Sequence, residues 1–464
     1  MPLRPNHPMP RPIPVRALRP LACVMALSLS LSLLLGGCAN LNHDETPDAK
    51  GAELTQTTWW RDFHDPLLAE LIERAMQANP SILSAQAALQ QARALRDVKL
   101  AATRPNLTVS GSVQRNTADG AEASVNFRGG LDASWELDIF GANKSAVANS
   151  EADLQAARAS LRDVQLSMTA EVALAYIQLR GLQAQLGIAQ HNLGSQQETL
   201  QITQWRSQAG LITSLEVEQA QTAVAQTAAQ LPALQSNLAK TRHSLAVLTG
   251  QLPHELDTLL MATLPIPQVA TQVADVIPAD SLRQRADVRA AEARITAALA
   301  AVDAAEAARL PSFRLGGSVG LTALTLAGFS NGAALATQIL GSVSVPVLDG
   351  GASKAQVRAQ QAVLAQTRAS YQNTLLTALQ EVEDALIALR HDRERLGYLQ
   401  QAASAADNAA LLAQNRYNSG LIDFQTVLQT QRTLLGAQDS VASLQADLSS
   451  GHVRLIKAMG GGWQ

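Results

Sequence analysis

Four short segments carry residue types found in enzyme active sites, but none has the spacing that its chemistry requires. Residues 328–332 spell G-x-S-x-G, yet a nucleophile elbow needs a strand before it and a helix after it, and here both flanks alternate like amphipathic strands. His254 and Glu255 begin a zinc-protease pattern, but Thr258 stands where the second histidine ligand belongs. Residues 350–354 lack the Walker spacing, and residues 391–395 are typical of a solvated helix face. The other histidines are scattered, so we predict that the protein is not an enzyme and has no metal site or cofactor.

The composition excludes further classes of function. Of 464 residues only 16% are charged and 3% aromatic, whereas an average globular protein has about 25% charged residues. The formal charge of −3 gives no basic field for nucleic acid. The only cysteines are Cys23 and Cys38, so the rest of the chain can build neither a disulfide framework nor a thiolate metal site. This composition suits long helices that pack through small side chains.

The amino terminus has the pattern of a bacterial lipoprotein signal. Four arginines and no acidic residue precede an apolar run over residues 21–35, which is followed by Gly36, Gly37 and Cys38. This is a positive n-region, an h-region too short to span a bilayer and a small-residue cleavage site. It looks like a lipobox, which predicts a signal peptide over residues 1–37, a lipid on Cys38 and a tether over residues 38–58. Ala39, rather than an aspartate, follows this cysteine, and in this the sequence resembles lipoproteins that are sent to the outer membrane. An ordinary signal peptide with an incidental cysteine is the alternative.

The rest of the chain consists of two similar halves, an internal repeat. Residues 206–212 match residues 416–422 at a separation of 210 positions, and residues 137–141 match residues 346–350 at about the same separation. We therefore predict that each half contains, in this order, a helix, two strands, a long helix, a turn and a returning helix. We predict a first repeat over residues 59–252, a proline-bearing linker over 253–278 and a second repeat over 279–464.

Heptad spacing predicts coiled-coil helices in both halves. The first apolar series is Val172, Leu179, Leu186, Leu193 and Leu200. The same period returns over residues 217–245, 375–396 and 427–455. A helix over residues 142–207 would be about 100 Å long, which is far too long for a compact domain.

Period-two alternation predicts four strands. Apolar residues alternate with polar ones over residues 107–114, 125–139, 313–321 and 335–347. Such strands have one face in lipid or core and the other in water. Four strands cannot close a membrane barrel, and an open edge in lipid leaves backbone groups unsatisfied. Other copies must therefore complete the sheet, with two giving eight strands and three giving twelve. A soluble four-stranded sheet packed on helices is the alternative.

With these features in place, the chain resembles the outer membrane factor family of TolC-like exit ducts, and within it the lipid-anchored, NodT-like efflux subgroup. The similarity covers nearly the whole mature chain and rests on the repeat and on an ordered set of residues: Trp59, Trp60, Phe63, Asp65, Pro66, Leu68, Asn79, Pro80 and residues 416–421. The resemblance implies a mainly α fold that assembles as a homotrimer, with a twelve-stranded β-barrel in the outer membrane and a long coiled-coil α-helical barrel in the periplasm. It also implies docking on a periplasmic adaptor and an inner-membrane RND-type or ABC transporter, for passive export of drugs and other toxic small molecules.

The resemblance also gives roles to the two helix turns. Adaptor docking is expected at Arg206, Gly210 and Leu211 in the first turn, and at Arg416, Tyr417, Gly420 and Leu421 in the second. A periplasmic gate is expected at Glu216, Gln219, Asp423, Thr426 and Gln429. The second half departs from the usual acidic pattern, so three copies of Glu216 would supply the anionic ring. Arg206 and Arg416 are expected either to hold neighbouring helices together by charge-assisted hydrogen bonds or to be solvated.

Two other functions fit part of the pattern. A type I secretion duct for polypeptides would have the same architecture, and a lipid-anchored structural coiled coil would need no pore. The alternating strands argue against the second function, because a structural coiled coil does not need strands with an apolar face. We therefore predict an outer membrane exit duct for small molecules.

Overall fold

A computed structural model describes residues 58–117, 124–269 and 282–461. After a 3-10 helix (Trp59–Phe63), the elements are α1 (Pro66–Ala78), α2 (Pro80–Ala102), β1 (Asn106–Asn116), β2 (Ser124–Leu137), α3 (Ala142–Gln208), α4 (Ser214–Leu248), α5 (Asp257–Leu260), α6 (Ala286–Ala307), β3 (Ser312–Ala323), α7 (Gly328–Asn331), β4 (Ala334–Ser344), α8 (Ala352–Asn418) and α9 (Phe424–Ala458). A helix, two strands, a 67-residue helix and a 35-residue helix occur in this order twice. The predicted internal repeat and the mainly helical fold are confirmed.

Each 67-residue helix begins at a left-handed glycine that follows a capping aspartate. Gly141 precedes α3 with a φ of 80°, and Gly351 precedes α8 with a φ of 88°. The carboxylate of Asp138 accepts two backbone N–H bonds at 3.1 and 2.7 Å from the first turn of α3. Hydrogen bonds from the side chain of Ser353 and from backbone N–H groups lower the pKa of the Asp349 carboxyl to about 2. Both aspartates therefore satisfy N–H groups that a helix start leaves without partners.

The long helices pack side by side. α3 packs against α2, α4, α6 and α9, whereas α8 packs mainly against α6 and α9 among the described helices. α3 therefore lies inside the row, α8 lies at one end of it, and α2 and α4 lie at the other end. This arrangement leaves much of α8 exposed: its buried residues recur every three or four positions along one stripe, from Ala378 through Val382, Ala385 and Leu389.

The main core lies where residues 59–75 and the inter-repeat segment pack against the middle of α3. It contains a buried network of polar side chains. The hydroxyl of Tyr176 donates to Asp65 over 2.7 Å, and the fully buried Arg180 donates to that hydroxyl over 2.9 Å and to the carbonyl of Ala262 over 2.6 Å. The Arg180 guanidinium also lies over the Tyr176 ring, 4.7 Å from its centroid. Burial raises the pKa of Tyr176 well above its ordinary value. The network thus fixes the start of the first repeat and the inter-repeat segment on α3.

The buried seam of α3 is more polar than the heptads predict. Leu186, Leu193 and Leu200 are only half-buried. The buried residues toward the turn are Ala189, Asn192, Gln196, Thr199 and Thr203. Two of them find partners on α9, since the Asn192 amide donates to Gln438 over 3.0 Å and the Gln431 amide donates to Thr199 over 3.2 Å. Leu186 still packs against the main core and Leu200 against the apolar cluster around Tyr417 and Phe424. The heptad leucines therefore flank this part of the seam, while α9 covers the neighbouring face, which carries amides and hydroxyls.

The four strands form one antiparallel sheet in the order β1-β2-β3-β4. Its register aligns the apolar rows, because Val109 lies opposite Leu131, Leu131 opposite Val319 and Val319 opposite Thr337. The polar rows meet on the other face, where Asp132 lies opposite both Thr108 and Ser318. Every residue of the two edge strands, β1 and β4, is exposed in the single chain.

Two strands end before the alternation does. β2 ends at Leu137, although the pattern continues to Ile139, because Asp138 turns to cap α3. β4 ends at Ser344 rather than at Val347, since Pro346 has no N–H group to continue the ladder. Among the described residues, no helix combines the length and the apolar character needed to cross a membrane.

Candidate functional site

The two helix turns at the far ends of α3 and α8 hold most of the predicted site residues. We call residues 206–219 the first tip and residues 416–429 the second tip. Gly210 and Gly420 take left-handed φ angles of 72° and 73°, and Leu211 and Leu421 donate their N–H groups to carbonyls five residues back, both at 2.9 Å. This is the hydrogen-bond pattern of a Schellman turn. It leaves the two leucine side chains 72% and 74% exposed at the tips of the two helical hairpins.

Each tip contains one carboxylate that caps the returning helix, but at different positions. In the first tip, Glu216 accepts from the N–H of Thr213 over 2.8 Å and from its hydroxyl. In the second tip, Asp423 accepts from the N–H of Thr426 over 2.8 Å and from its hydroxyl over 2.7 Å. The threonine and the acid have exchanged places between the repeats. Hydrogen bonds from the threonine side chains lower the pKa of both carboxyls. Three predicted gate residues, Glu216, Asp423 and Thr426, therefore form helix caps.

Arg206 joins the two tips of one chain. Its guanidinium donates to the carbonyls of Tyr417 and Asn418 over 3.0 and 2.7 Å, and its Cζ lies 4.6 Å from the centroid of the Tyr417 ring. These carbonyls are at the end of α8, where the helix dipole favours a cation. The Tyr417 ring is buried and packs against Phe424 with centroids 5.4 Å apart. We call this set of contacts the tip joint.

The other predicted tip residues lie outside the joint. Arg416 is exposed, and no ion pair with it is found within the described part of the chain. Gln219 is half-buried, and Gln429 is exposed. Gly37 and Cys38, the predicted cleavage and lipidation site, lie outside the described residues.

The G-x-S-x-G segment does not have the strand–turn–helix context of a nucleophile elbow. Ser330 lies in the single turn α7 between two strands, and its hydroxyl donates to the carbonyl of Ala327 over 2.9 Å. Across the described ranges, no group of three or more histidine, cysteine, aspartate or glutamate side chains is placed to hold a metal ion. The described residues form a long helical body. At one end of it lies a four-stranded sheet with two unpaired edges, and at the other end lie the two tips, which the tip joint connects.

Comparison with known proteins agrees with this architecture. The family model described as outer membrane efflux protein matches residues 71–251 and 277–461. The chain belongs to the outer membrane efflux protein family. This confirms the resemblance, and with it the fold class, the outer membrane location and the efflux function of the protein. The family consists of outer membrane channels rather than enzymes.

Individual relatives of this efflux protein extend over almost its whole length. The pyoverdine export outer membrane protein OpmQ of Pseudomonas putida is 34% identical over 95% of this chain and 97% of its own. Nodulation protein T of Rhizobium leguminosarum bv. viciae is 30% identical over 93% of this chain and 92% of its own. Among solved structures, the outer-membrane channel OprN is 35% identical with a TM-score of 0.83, over 88% of this chain and 93% of its own. The outer membrane protein VceC of Vibrio cholerae is 27% identical with a TM-score of 0.81, over 88% and 99%.

Proposed function

We propose that three copies of this efflux protein close into a single passive duct, with a twelve-stranded barrel in the outer membrane and a helical barrel below it. The observation that carries the proposal is the open four-stranded sheet, which combines a continuous apolar face with two unpaired edges. In hydrocarbon each unpaired backbone group costs several kcal/mol, so this sheet is stable in the membrane only when β1 and β4 find partners.

The topology supports pairing between copies. Neighbouring strands alternate in direction, so β1 and β4 are antiparallel to each other. β4 of one copy therefore pairs with β1 of the next and continues the same antiparallel pattern. Two copies would give an eight-stranded barrel filled with side chains, whereas three give a barrel wide enough for solutes. The helices follow the same symmetry, because the exposed side of α8 in one copy faces the α2 and α4 end of the next.

The further assignments rest on the sequence pattern and on the names of relatives. Cys38 anchors each chain through lipid, and the two tips dock on a periplasmic adaptor that connects the duct to an inner-membrane transporter of the RND or ABC type. Small molecules are the proposed cargo, since two relatives from Pseudomonas putida are named for the export of small molecules, one for pyoverdine export and one for toluene efflux. The duct itself spends no energy and selects by width and wall charge.

Two measurements on the full-length protein in detergent test the proposal. Analytical ultracentrifugation should give the mass of three chains, and the same preparation should form discrete conductance steps in planar lipid bilayers. A Cys38→Ser variant should lose the lipid but keep both properties. A single-chain mass together with bilayers that stay silent would refute the duct, whereas conductance from an assembly of another size would refute only the trimer.

A further inference from the structure

The fold brings together two histidines that the sequence separates by eleven positions. His243 lies on α4 and His254 lies in the turn before α5, and their imidazole rings meet edge to face with centroids 4.7 Å apart. His254 also interacts with Asp257, whose Oδ2 lies 3.0 Å from its Nδ1. No motif spacing predicts this pair, because the contact depends on how the chain turns after α4. We call the three residues the histidine pair and its carboxylate.

The two imidazoles have the chemistry of metal ligands, although with Asp257 they do not form a group of three ligands around one ion. A carboxylate on one ring nitrogen of a histidine fixes the tautomer and leaves the other nitrogen as a lone-pair donor, the arrangement typical of metal-binding imidazoles. No hydrogen bond to His243 is found among the described residues, so its nitrogens are also available. Two imidazoles on one tetrahedral zinc ion at Zn–N distances of about 2.0–2.1 Å have ring centroids about 5 Å apart. The observed separation of 4.7 Å is close to this value.

The local backbone also distinguishes the site. His254 has a φ of 81°, one of only two non-glycine residues with positive φ in the described ranges. A side chain held in this sparsely populated region points to a local requirement for that side chain. The pair is absent from the second repeat, where Val453 occupies the position equivalent to His243. The fold therefore does not require histidine there, since the second repeat builds the same helix with valine.

The geometry points to a binding site for a borderline divalent metal ion such as Zn²⁺, with His243 and His254 as protein ligands, Asp257 as the positioning residue and water in the remaining coordination positions. Imidazole suits zinc, copper and nickel, whereas magnesium and calcium prefer oxygen ligands. A bound ion would pin the inter-repeat segment to the end of α4, close to the segment whose Ala262 carbonyl is held by Arg180. The proposal does not depend on the duct or on its oligomeric state.

Calorimetric titration of the full-length, detergent-solubilised protein with Zn²⁺ tests the site. The protein should be purified without a histidine tag and stripped of metal beforehand. We expect one Zn²⁺ per chain in the wild type and loss of this binding in His243→Gln and in His254→Asn, where asparagine still tolerates a positive φ. Asp257→Asn should weaken binding by about tenfold, since loss of a carboxylate behind a histidine ligand typically costs 10–100-fold in metal affinity.

His391→Gln is the matched control. His391 also has a carboxylate three residues later, with its Nδ1 3.9 Å from Glu394, but no second imidazole is found beside it in the described structure. Its loss should leave the binding unchanged. Zn²⁺ should also raise the melting temperature of the wild type and the control but not that of His243→Gln, with circular dichroism confirming that each variant is folded. The site would be refuted by the absence of saturable binding in the wild type, by unchanged binding in His243→Gln, or by loss of binding in His391→Gln.

Discussion

The tip joint predicts that Arg206→Ala opens the periplasmic end of the duct. The substitution removes one half-buried charge-assisted bond at 3.0 Å, a more exposed one at 2.7 Å and the stacking on Tyr417 at 4.6 Å. A hydrogen bond to a charged group contributes about 1.5 kcal/mol at the low end of its range, the exposed bond about 0.5 kcal/mol, and an exposed cation–π contact about 0.5 kcal/mol. The sum of about 2.5 kcal/mol corresponds to about a sixtyfold change in the ratio of open to closed tips.

Single-channel recording in planar bilayers measures this ratio directly. Arg206→Ala should raise the fraction of time in high-conductance states, and Arg206→Lys should fall between the variant and the wild type, because lysine keeps the charge but loses the two-pronged donor. Arg390→Ala serves as the control, since this exposed arginine lies on α8 about 39 Å from Arg416 along the helix. A change in the Arg206→Ala ratio below about fourfold, which is about 0.8 kcal/mol, would mean that the joint does not hold the tips closed.

Three further predictions concern the caps, the turns and the sheet. The pKa of Glu216 is lowered from 4.5, so its capping contribution is present above that pH and is lost as the pH falls through the lowered value; hydrogen exchange at the first tip should be faster, relative to the intrinsic rate, at pH 3.5 than at pH 6. Gly250→Ala should destabilise the protein more than Gly210→Ala in thermal melts, because both glycines have a φ of 72° but an added methyl overlaps a carbonyl only at Gly250; equal losses would contradict this packing. Ile339→Arg on the apolar face of β4 should cost about 2–4 kcal/mol in the membrane and reduce trimer yield on semi-native gels, whereas Gln338→Arg on the other face should not.

Elements that follow a local periodicity could be predicted from the sequence. The 67-residue helix over Ala142–Gln208 differs by one residue from the predicted range, and the four strands lie where the alternation places them. Periodicity predicts these elements because a helix or strand buries one face whatever its neighbour is. It does not say which neighbour covers the face, and this is why the heptad leucines of α3 do not reveal that Asn192 and Thr199 are the residues buried against α9.

Contacts between distant parts of the chain could not be predicted. Arg206 and Tyr417 are 211 positions apart, and their joint depends on how two helical hairpins lie against each other. The caps are a different case, because Thr213 and Glu216 have the spacing of a capping box, a signal readable from the sequence alone. The resemblance to known ducts predicts a gate role for Glu216, and the local hydrogen bonds add a structural role as a helix cap.

The repeat allows the joint between copies to be compared with the joint within a chain. In the proposed trimer, the position equivalent to Arg206 is Arg416, and the carbonyls equivalent to those of Tyr417 and Asn418 belong to Ser207 and Gln208 of the next copy. Because Ser207 has no ring, the joint between copies lacks the cation–π contact and the buried aromatic packing of the joint within the chain. We expect the tips to separate first between copies, and we expect Arg416→Ala to raise open-state occupancy less than Arg206→Ala does in the same bilayer recordings. An equal or larger effect of Arg416→Ala would show that the contact between copies, not the joint within each chain, is the stronger restraint on opening.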